Sequence, residues 1–496
     1  MKADVLIVGA GPVGMTMASE LARYGLSIRI VDKNTQRTDR SKAIVVWART
    51  LELLDRMGPG VAERFIQAGL KAEYANLFAG GEQIAHIDLS GVDTPYKFIL
   101  LIQQSETERL LEEHLAGLGV KVERQVELEK FVPRADSVLC SLANPDGSNE
   151  QLEVSWLIGC DGAHSTVRHS LGMSFEGSTM LNDWILADVH IGGIQGPPAG
   201  DIHWHAEGIL AIFPLGGTRY RVIADAGESA STAIGEHRVP TLEEVQRILD
   251  VRGPKGLIAS DPVWMSGFTI NERKVADYRA ERVFLAGDAA HVHSPAGGQG
   301  MNTGMHDAFN LAWKLSLVSR GLCAAEPLLT SYNAERSAVA KLVLEATGRA
   351  TAIALMRGGA KQSIRNHVAS LVFGLAPVRH MMANVLSEIA VGYPDSPLNS
   401  SFGSGHSGPA PGKRAPFRAG ELALGSGSMP RFALFATENN TYADIMKEFP
   451  EILEPKLRPP YDEKGLWLVR PDGYVALRTG SGDKEAVHSY LRQLGK

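Results

Sequence analysis

Near its start the chain carries Gly9-Ala10-Gly11-Pro12-Val13-Gly14, a run whose residue types suit phosphate binding. Gly9 permits a tight turn, Gly11 lets backbone approach a phosphate, and Gly14 lets a helix pack closely on a strand. Pro12 and Val13 open that helix, whose N-terminal N–H groups and positive potential favour an anion. Asp32, with Lys33 beside it, closes the next apolar run, where its carboxylate would accept hydrogen bonds from ribose hydroxyls. The chemistry is dinucleotide binding. Nicotinamide and flavin dinucleotides share this turn, so the motif alone does not choose between them.

Two later segments bear on the choice. Leu157-Ile158-Gly159-Cys160-Asp161-Gly162-Ala163-His164 reads as a strand, an Asp-Gly turn and a helix start. Val283-Phe284-Leu285-Ala286-Gly287-Asp288 is another strand, ending on Gly-Asp. It is followed by Ser294-Pro295-Ala296-Gly297-Gly298-Gln299-Gly300-Met301-Asn302 and a helix. A lone Asp-Gly or Gly-Asp is ordinarily a turn. Three such elements in this order rarely coincide by chance.

The elements that must position these residues are legible from periodicity. Val5–Val8 has no polar alternation, as a strand buried on both faces requires. A helix is predicted from about Pro12 to Tyr24, stopped by Gly25, and then a strand from Ser27 to Val31. This completes one βαβ unit. Leucines 110, 111, 115 and 118 predict a helix over 106–118, and 120–123 is strand-like. Short alternating runs between Phe175 and Met265, broken by Gly and Pro, predict a mostly antiparallel sheet. A buried strand resumes at Arg282, and a long helix is predicted from about Thr303 to Arg320.

The chain is thus expected to be α/β, with a Rossmann-like nucleotide domain (1–175 and 283–345) interrupted by a sheet domain (176–282). A helical segment (346–395), a Gly/Ser/Pro-rich linker (396–412) and a small C-terminal domain (413–496) follow.

The three motifs together resemble the single-component FAD-dependent aromatic hydroxylases, the family of p-hydroxybenzoate, phenol and polyketide hydroxylases. The resemblance covers about residues 3–345. It implies that Gly9, Gly11, Pro12, Val13 and Gly14 hold the FAD pyrophosphate, that Asp161 serves both FAD and a transient NADPH or NADH, and that Asp288 contacts the ribityl chain. Arg40-Ser41-Lys42-Ala43 is similar to the family's mobile-flavin loop, and Gln104 to a glutamine near the ring. Leu128 is expected near the adenine. Backbone N–H groups of Gly300, Met301 and Asn302 are suited to the negative charge of reduced flavin. The resemblance further implies a monooxygenase that attacks an aromatic substrate through a flavin C4a-hydroperoxide, with O2 as cosubstrate.

The inserted sheet is expected to cover the ring, with Pro295 at the pocket edge. His203, His205, Tyr220 and His293 are candidates to draw a proton from a phenol. Leu215 falls where p-hydroxybenzoate hydroxylase has its carboxylate-binding arginine, and Phe213 replaces a small polar neighbour. An apolar pocket there favours a larger, less charged phenol or polycycle over a simple benzoate. The tail resembles a thioredoxin-like domain in Leu468–Ala476, yet it contains no cysteine, which excludes thiol redox chemistry there. Two rival readings remain open: a monooxygenase of the same fold acting by epoxidation, Baeyer–Villiger oxidation or antibiotic inactivation, and a noncatalytic FAD-fold binding protein.

Composition narrows the partners. Hydrophobic residues are 44% and charged residues 21%, the balance of a globular chain, and a net charge of −6 without a basic run disfavours nucleic acid. Cys140, Cys160 and Cys323 form no CxxC pair, which argues against a metal site or disulfide frame. No apolar run reaches a membrane span; residues 369–391 come nearest but are broken by Arg379, His380, Asn384 and Glu388. A cytoplasmic enzyme, with a homodimer as an open option, is the expectation.

Overall fold

The computed structural model describes residues 3–38, 42–228, 238–356, 359–402, 407–437 and 442–495. Val5–Val8 is buried at every position. It pairs in parallel with Ile28–Asp32 on one side and Trp156–Gly159 on the other. Val122–Arg124 and Val283–Leu285 extend this sheet in the same sense, and Arg279–Ala280 adds an antiparallel edge. The helix Pro12–Arg23 makes the first crossover. Parallel strands joined by crossovers end on one edge of the sheet, where ligands of such folds bind. Gly9, Asp32, Arg124, Cys160 and Ala286 therefore meet there despite their distance in sequence.

The helix over Gly9–Gly14 sits tightly because side chains are missing where it touches the sheet. A Cβ on Gly14 would lie 1.9 Å from the Gly9 carbonyl oxygen, and one on Gly9 would lie 2.4 Å from the Cys160 oxygen. Val13 fills the room that Gly287 and Gly304 leave; a Cβ on either would come within 2.8 Å or less of it.

The second sheet differs from the expected segment. It has eight strands, and three of them, Tyr74–Ala79, Glu82–Asp88 and the edge strand His291–Val292, come from outside 176–282. Tyr74–Ala79 pairs in parallel with Gly200–His205, while the other neighbours run antiparallel. The early hairpin turns on Gly80 and Gly81, both at positive φ. Its apolar residues pack with Ala369, Phe373, Met382 and Leu386. Leu242–Arg252, started by a Thr241/Glu244 capping box, covers one face.

The expected boundary at 345 falls inside the helix Ala325–Ala354. Two further helices, Gly359–Gly374 and Ala376–Leu386, follow. The parts Ile364–Gly374 and Ala376–Leu386 meet at 89°, and no single helix among the described residues is long and apolar enough to cross a membrane. The stretch expected as a linker is packed where it is described. Leu398 is buried, Ser396 Oγ donates to Glu335, and Ser400–Ser401 pairs with Leu477 and Arg478. The C-terminal unit is a four-stranded sheet with the helices Ala443–Glu448 and Lys484–Leu494.

The helix Gly300–Ser319 is buried along nearly its whole length, so each polar side chain on it needs a partner. Lys314 Nζ lies 2.8 Å from Glu335 Oε2. Arg470, from the C-terminal unit, reaches both Glu335 oxygens at 2.5 and 2.9 Å and also binds Asp472. Arg470 and Glu335 are fully buried, which places a charge network at the joint of the two units. Arg470→Ala leaves that carboxylate short of positive charge. We expect a loss of about 3–5 kcal/mol in urea unfolding; an unchanged midpoint would show that apolar packing alone holds the joint.

Candidate cofactor and substrate site

A cleft opens at the carboxyl ends of the parallel strands. Its walls include Gly9, Gly11, Asp32, Lys33, Leu128 and Asp161, six of the residues singled out in the sequence. Asp32 is held by two backbone donors, Ala10 N and Asn34 N, each 2.8 Å from one of its oxygens. This fixes the carboxylate at the strand end, where it faces the cleft. The helix at Pro12 has no side-chain cap and no acidic residue in its first turn, so its leading N–H groups keep their attraction for an anion.

Asp161 accepts from Val167 N at 3.1 Å through one oxygen, and its buried Oδ1 has no partner among the described residues. A buried oxygen left so is a place for a ligand donor. Gly11 gives the complementary sign: its φ of −78° suits any residue, and a Cβ there would meet nothing within 4 Å. Its glycine therefore answers to what enters the cleft rather than to the fold. The residues fit a dinucleotide.

Arg37 and Arg124 also line the cleft, and the sequence reading passed over them. Both bind Glu112, and Arg124 lies 3.9 Å from Asp32. Arg124 ends a strand parallel to Ile28–Asp32, which is the signal that could have found it.

The remaining expected contacts gather around the start of Gly300–Ser319. Asp288 lies on the loop after Val283–Leu285; its side chain is open to solvent, although protein encloses it on most sides, and that enclosure pushes its carboxyl above the usual range. The N-terminus at Gly300, Met301 and Asn302 again has no side-chain cap. Asn302 is fully buried and clamps the segment Val45–Thr50 to this loop through its side chain. Gln104 accepts from Ala43 N at 3.3 Å and donates to Glu108. Arg40 lies outside the described residues.

The candidates for proton transfer separate by the pleat of the sheet. Phe213 and Leu215 pack with Ile202, Trp204, Val45, Trp47 and Leu386, forming an apolar face. His203 and Tyr220 occupy alternate positions and so point to the other face, where Tyr220 packs with the cluster under Leu242–Arg252. His203 stacks on Phe78 with centroids 4.7 Å apart, and burial pushes it down to about 4. His205 sits at the hairpin end and accepts from Glu207 N. The structure thus separates these three from the apolar face, because neighbouring residues of a strand cannot share a side.

His293 and exposed Pro295 remain near Gly300. His293 Nδ1 donates to the Ser294 carbonyl, which leaves Nε2 an acceptor without a partner among the described residues. A Cβ on Gly300 would lie 3.6 Å from that nitrogen. Burial holds His293 at about 4, so it is neutral at physiological pH. Arg221, unforeseen in the sequence, is fully buried in a pair with Asp188 at 2.7 Å and donates to the Lys42 carbonyl, tying the sheet to the segment that starts at Lys42.

A mostly parallel sheet, a glycine turn and an anion-ready cleft define a dinucleotide-binding architecture. The chain belongs to the FAD binding domain family, whose model matches residues 2–347. The 6-methylpretetramide 4-monooxygenase of Streptomyces rimosus is 34% identical over 516 residues, covering 96% of this chain and 90% of its own. Pentachlorophenol 4-monooxygenase of Sphingobium chlorophenolicum is 36% identical over 354 residues, covering 70% of this chain and 64% of its own. The solved structure of OxyS anhydrotetracycline hydroxylase from Streptomyces rimosus superposes with a TM-score of 0.79 at 28% identity, covering 100% of both chains. The protein is an FAD-dependent monooxygenase, and enzymes of this class use NAD(P)H and O2.

Gly11 separates a cofactor role from a structural one. Gly11→Ala should leave the unfolding midpoint of the FAD-free protein unchanged and weaken FAD binding by about tenfold or more, 1.4 kcal/mol. An unchanged dissociation constant, read by flavin fluorescence, would show that the pyrophosphate lies elsewhere.

Proposed function

We propose that this monooxygenase hydroxylates a polycyclic phenol, of the size of a polyketide-derived ring system, on the apolar face formed by Phe213, Leu215, Ile202 and Trp204. The observation that carries this reading is the continuity of that face with Val45 and Trp47, next to the loop at 297–302. In the same reading Gly9, Gly11, Val13 and Gly14 hold the FAD pyrophosphate, Asp32 and Lys33 the ribose end, and Leu128 the adenine. Asp161 and Asp288 face the middle of the cofactor, and Gly300–Asn302 face the ring. Bound FAD supplies oxygen transfer from O2 to the aromatic ring, with NAD(P)H as electron source and water as coproduct.

The protein's own part is placement. The apolar face orients a flat substrate and keeps water from the reacting centre. Leu215 offers no charge to a benzoate, so a carboxylate there would lose its hydration without a partner. His293 Nε2 is an acceptor that a phenolic O–H could use. The names of the two tetracycline-type relatives agree with a multi-ring substrate. Buried, unpaired Cys140, Cys160 and Cys323 favour residence in the reducing cytoplasm.

The test is direct. Purified protein should release FAD on denaturation, and polycyclic phenols should accelerate NADPH or NADH oxidation more than hydroxybenzoates do, with a product heavier by one oxygen. Acceleration by benzoates alone would overturn the polycyclic reading. No acceleration by any aromatic compound would remove hydroxylation itself.

A further inference from the structure

We infer that Glu388 and His306 form a neutral, proton-sharing pair that positions the start of the helix Gly300–Ser319, on which the reading above places the flavin ring. The inference rests on proton counting. Asn302 Oδ1 accepts from Trp47 N at 2.9 Å and from Thr50 Oγ1 at 2.8 Å. Its Nδ2 donates to the carbonyls of Val45 at 2.9 Å and Gly298 at 3.0 Å. Turned over, the amide would set donor against donor and oxygen against two carbonyls, so its orientation is dictated.

The Thr50 hydroxyl has one proton, and Asn302 takes it. His306 Nε2 lies 3.0 Å from Thr50 Oγ1, so Nε2 must be the protonated nitrogen. Nδ1 then faces Glu388 Oε2 at 3.1 Å. One proton belongs between them, either on the ring as an ion pair or on the carboxyl as two neutral groups.

The surroundings choose the neutral form. Glu388 and His306 are 3% and 4% exposed. The second Glu388 oxygen receives only the Thr303 hydroxyl, at 3.3 Å, and Oε2 accepts no hydrogen bond among the described residues, leaving only its 3.1 Å approach to His306 Nδ1. That is too little for a buried carboxylate. The charged groups facing the pair are Arg336, Asp307, Arg49 and Arg56. Arg336 is engaged with Asp307, Arg49 with Glu52, and Arg56 with Glu20. Burial above all pushes Glu388 up to about 8. Burial, with Arg336 and Arg49 adding, drives His306 well below its ordinary value.

The protonated carboxyl donates to His306, His306 to Thr50, and Thr50 to Asn302. This directional chain fastens Val45–Thr50 to the loop at 298–302 from behind. Glu388 is also held at φ 60°, a backbone region that non-glycine residues seldom adopt. Neither residue touches the cofactor cleft residues named above; both are positioning residues.

Glu388→Gln decides the protonation. Its amide N–H replaces the acid proton toward Nδ1, and its carbonyl accepts from Thr303, so the neutral pattern is kept. Glu388 titrates higher in the folded chain than in the unfolded one. Its contribution is therefore complete at acid pH and is lost as pH rises from the ordinary carboxyl value toward about 8. Between pH 5.5 and 8.5 the parent midpoint should fall relative to Glu388→Gln by about 3 °C. A variant strongly destabilised at pH 5.5, or the same pH profile in both proteins, would overturn the neutral pair.

Glu388→Ala tests positioning in the full chain with FAD. We expect about tenfold weaker FAD binding, the worth of one lost link, while Glu388→Gln stays within about twofold at pH 6. Parent-like affinity in folded Glu388→Ala would overturn the positioning role. Should the parent itself bind no FAD, the functional reading fails, and the pH profile still decides the pair.

Discussion

The buried carboxylate of Asp307 is the point on which the site depends. It accepts from Gly287 N at 2.9 Å, from His291 Nε2 at 2.8 Å and from Arg336 Nε at 2.6 Å. Burial alone would raise its pKa; Arg336 and His291 outweigh that and hold it at about 2. One side chain thus joins the loop carrying Asp288, the helix Gly300–Ser319 and the helix Ala325–Ala354. Such a charge is costly in an apolar interior unless each oxygen is satisfied, and here each is. The loop and the helix start therefore keep one relative placement without the cofactor's help.

From this node the polar core runs in two directions. Toward the C-terminal unit, Asn310, Lys314 and Glu335 lead to Arg470 and Asp472. Toward the sheet domain, Asn302 and Thr50 lead to the segment that Arg221 holds through the Lys42 carbonyl. The helix Gly300–Ser319 is the common element. Its apolar residues give it a place in the core, and its polar residues say which neighbours it must have.

Legibility in the sequence followed the range of the signal. The turn from Gly9 to Gly14 and the strands around it were readable because a βαβ unit is local and its glycines have separate steric reasons. Asp161 and Asp288 were readable as strand-ending motifs. The hairpin of 74–88 was not, because its membership in the sheet is decided by Gly200–His205, far along the chain. The packing of the described residues within 396–412 was hidden for a similar reason. The composition of that stretch suits a free linker, but Ser396 finds its buried partner in Glu335 and the Leu398 carbonyl finds its own in Tyr490, both far along the chain.

The residues Gly9, Gly11 and Gly14, and the buried strand before them, were enough by themselves to read a dinucleotide-binding βαβ unit. Local sterics and helix-end electrostatics suffice for that. Which side chains share a face of the second sheet was decided only by tertiary structure. Phe213 and Tyr220 are close in sequence, but the pleat and the register of their strands send them to opposite faces. The environment of Glu388 was likewise invisible, since it depends on how few groups reach a buried carboxyl, and those that do, Thr303 and His306, lie on a helix far from it in sequence.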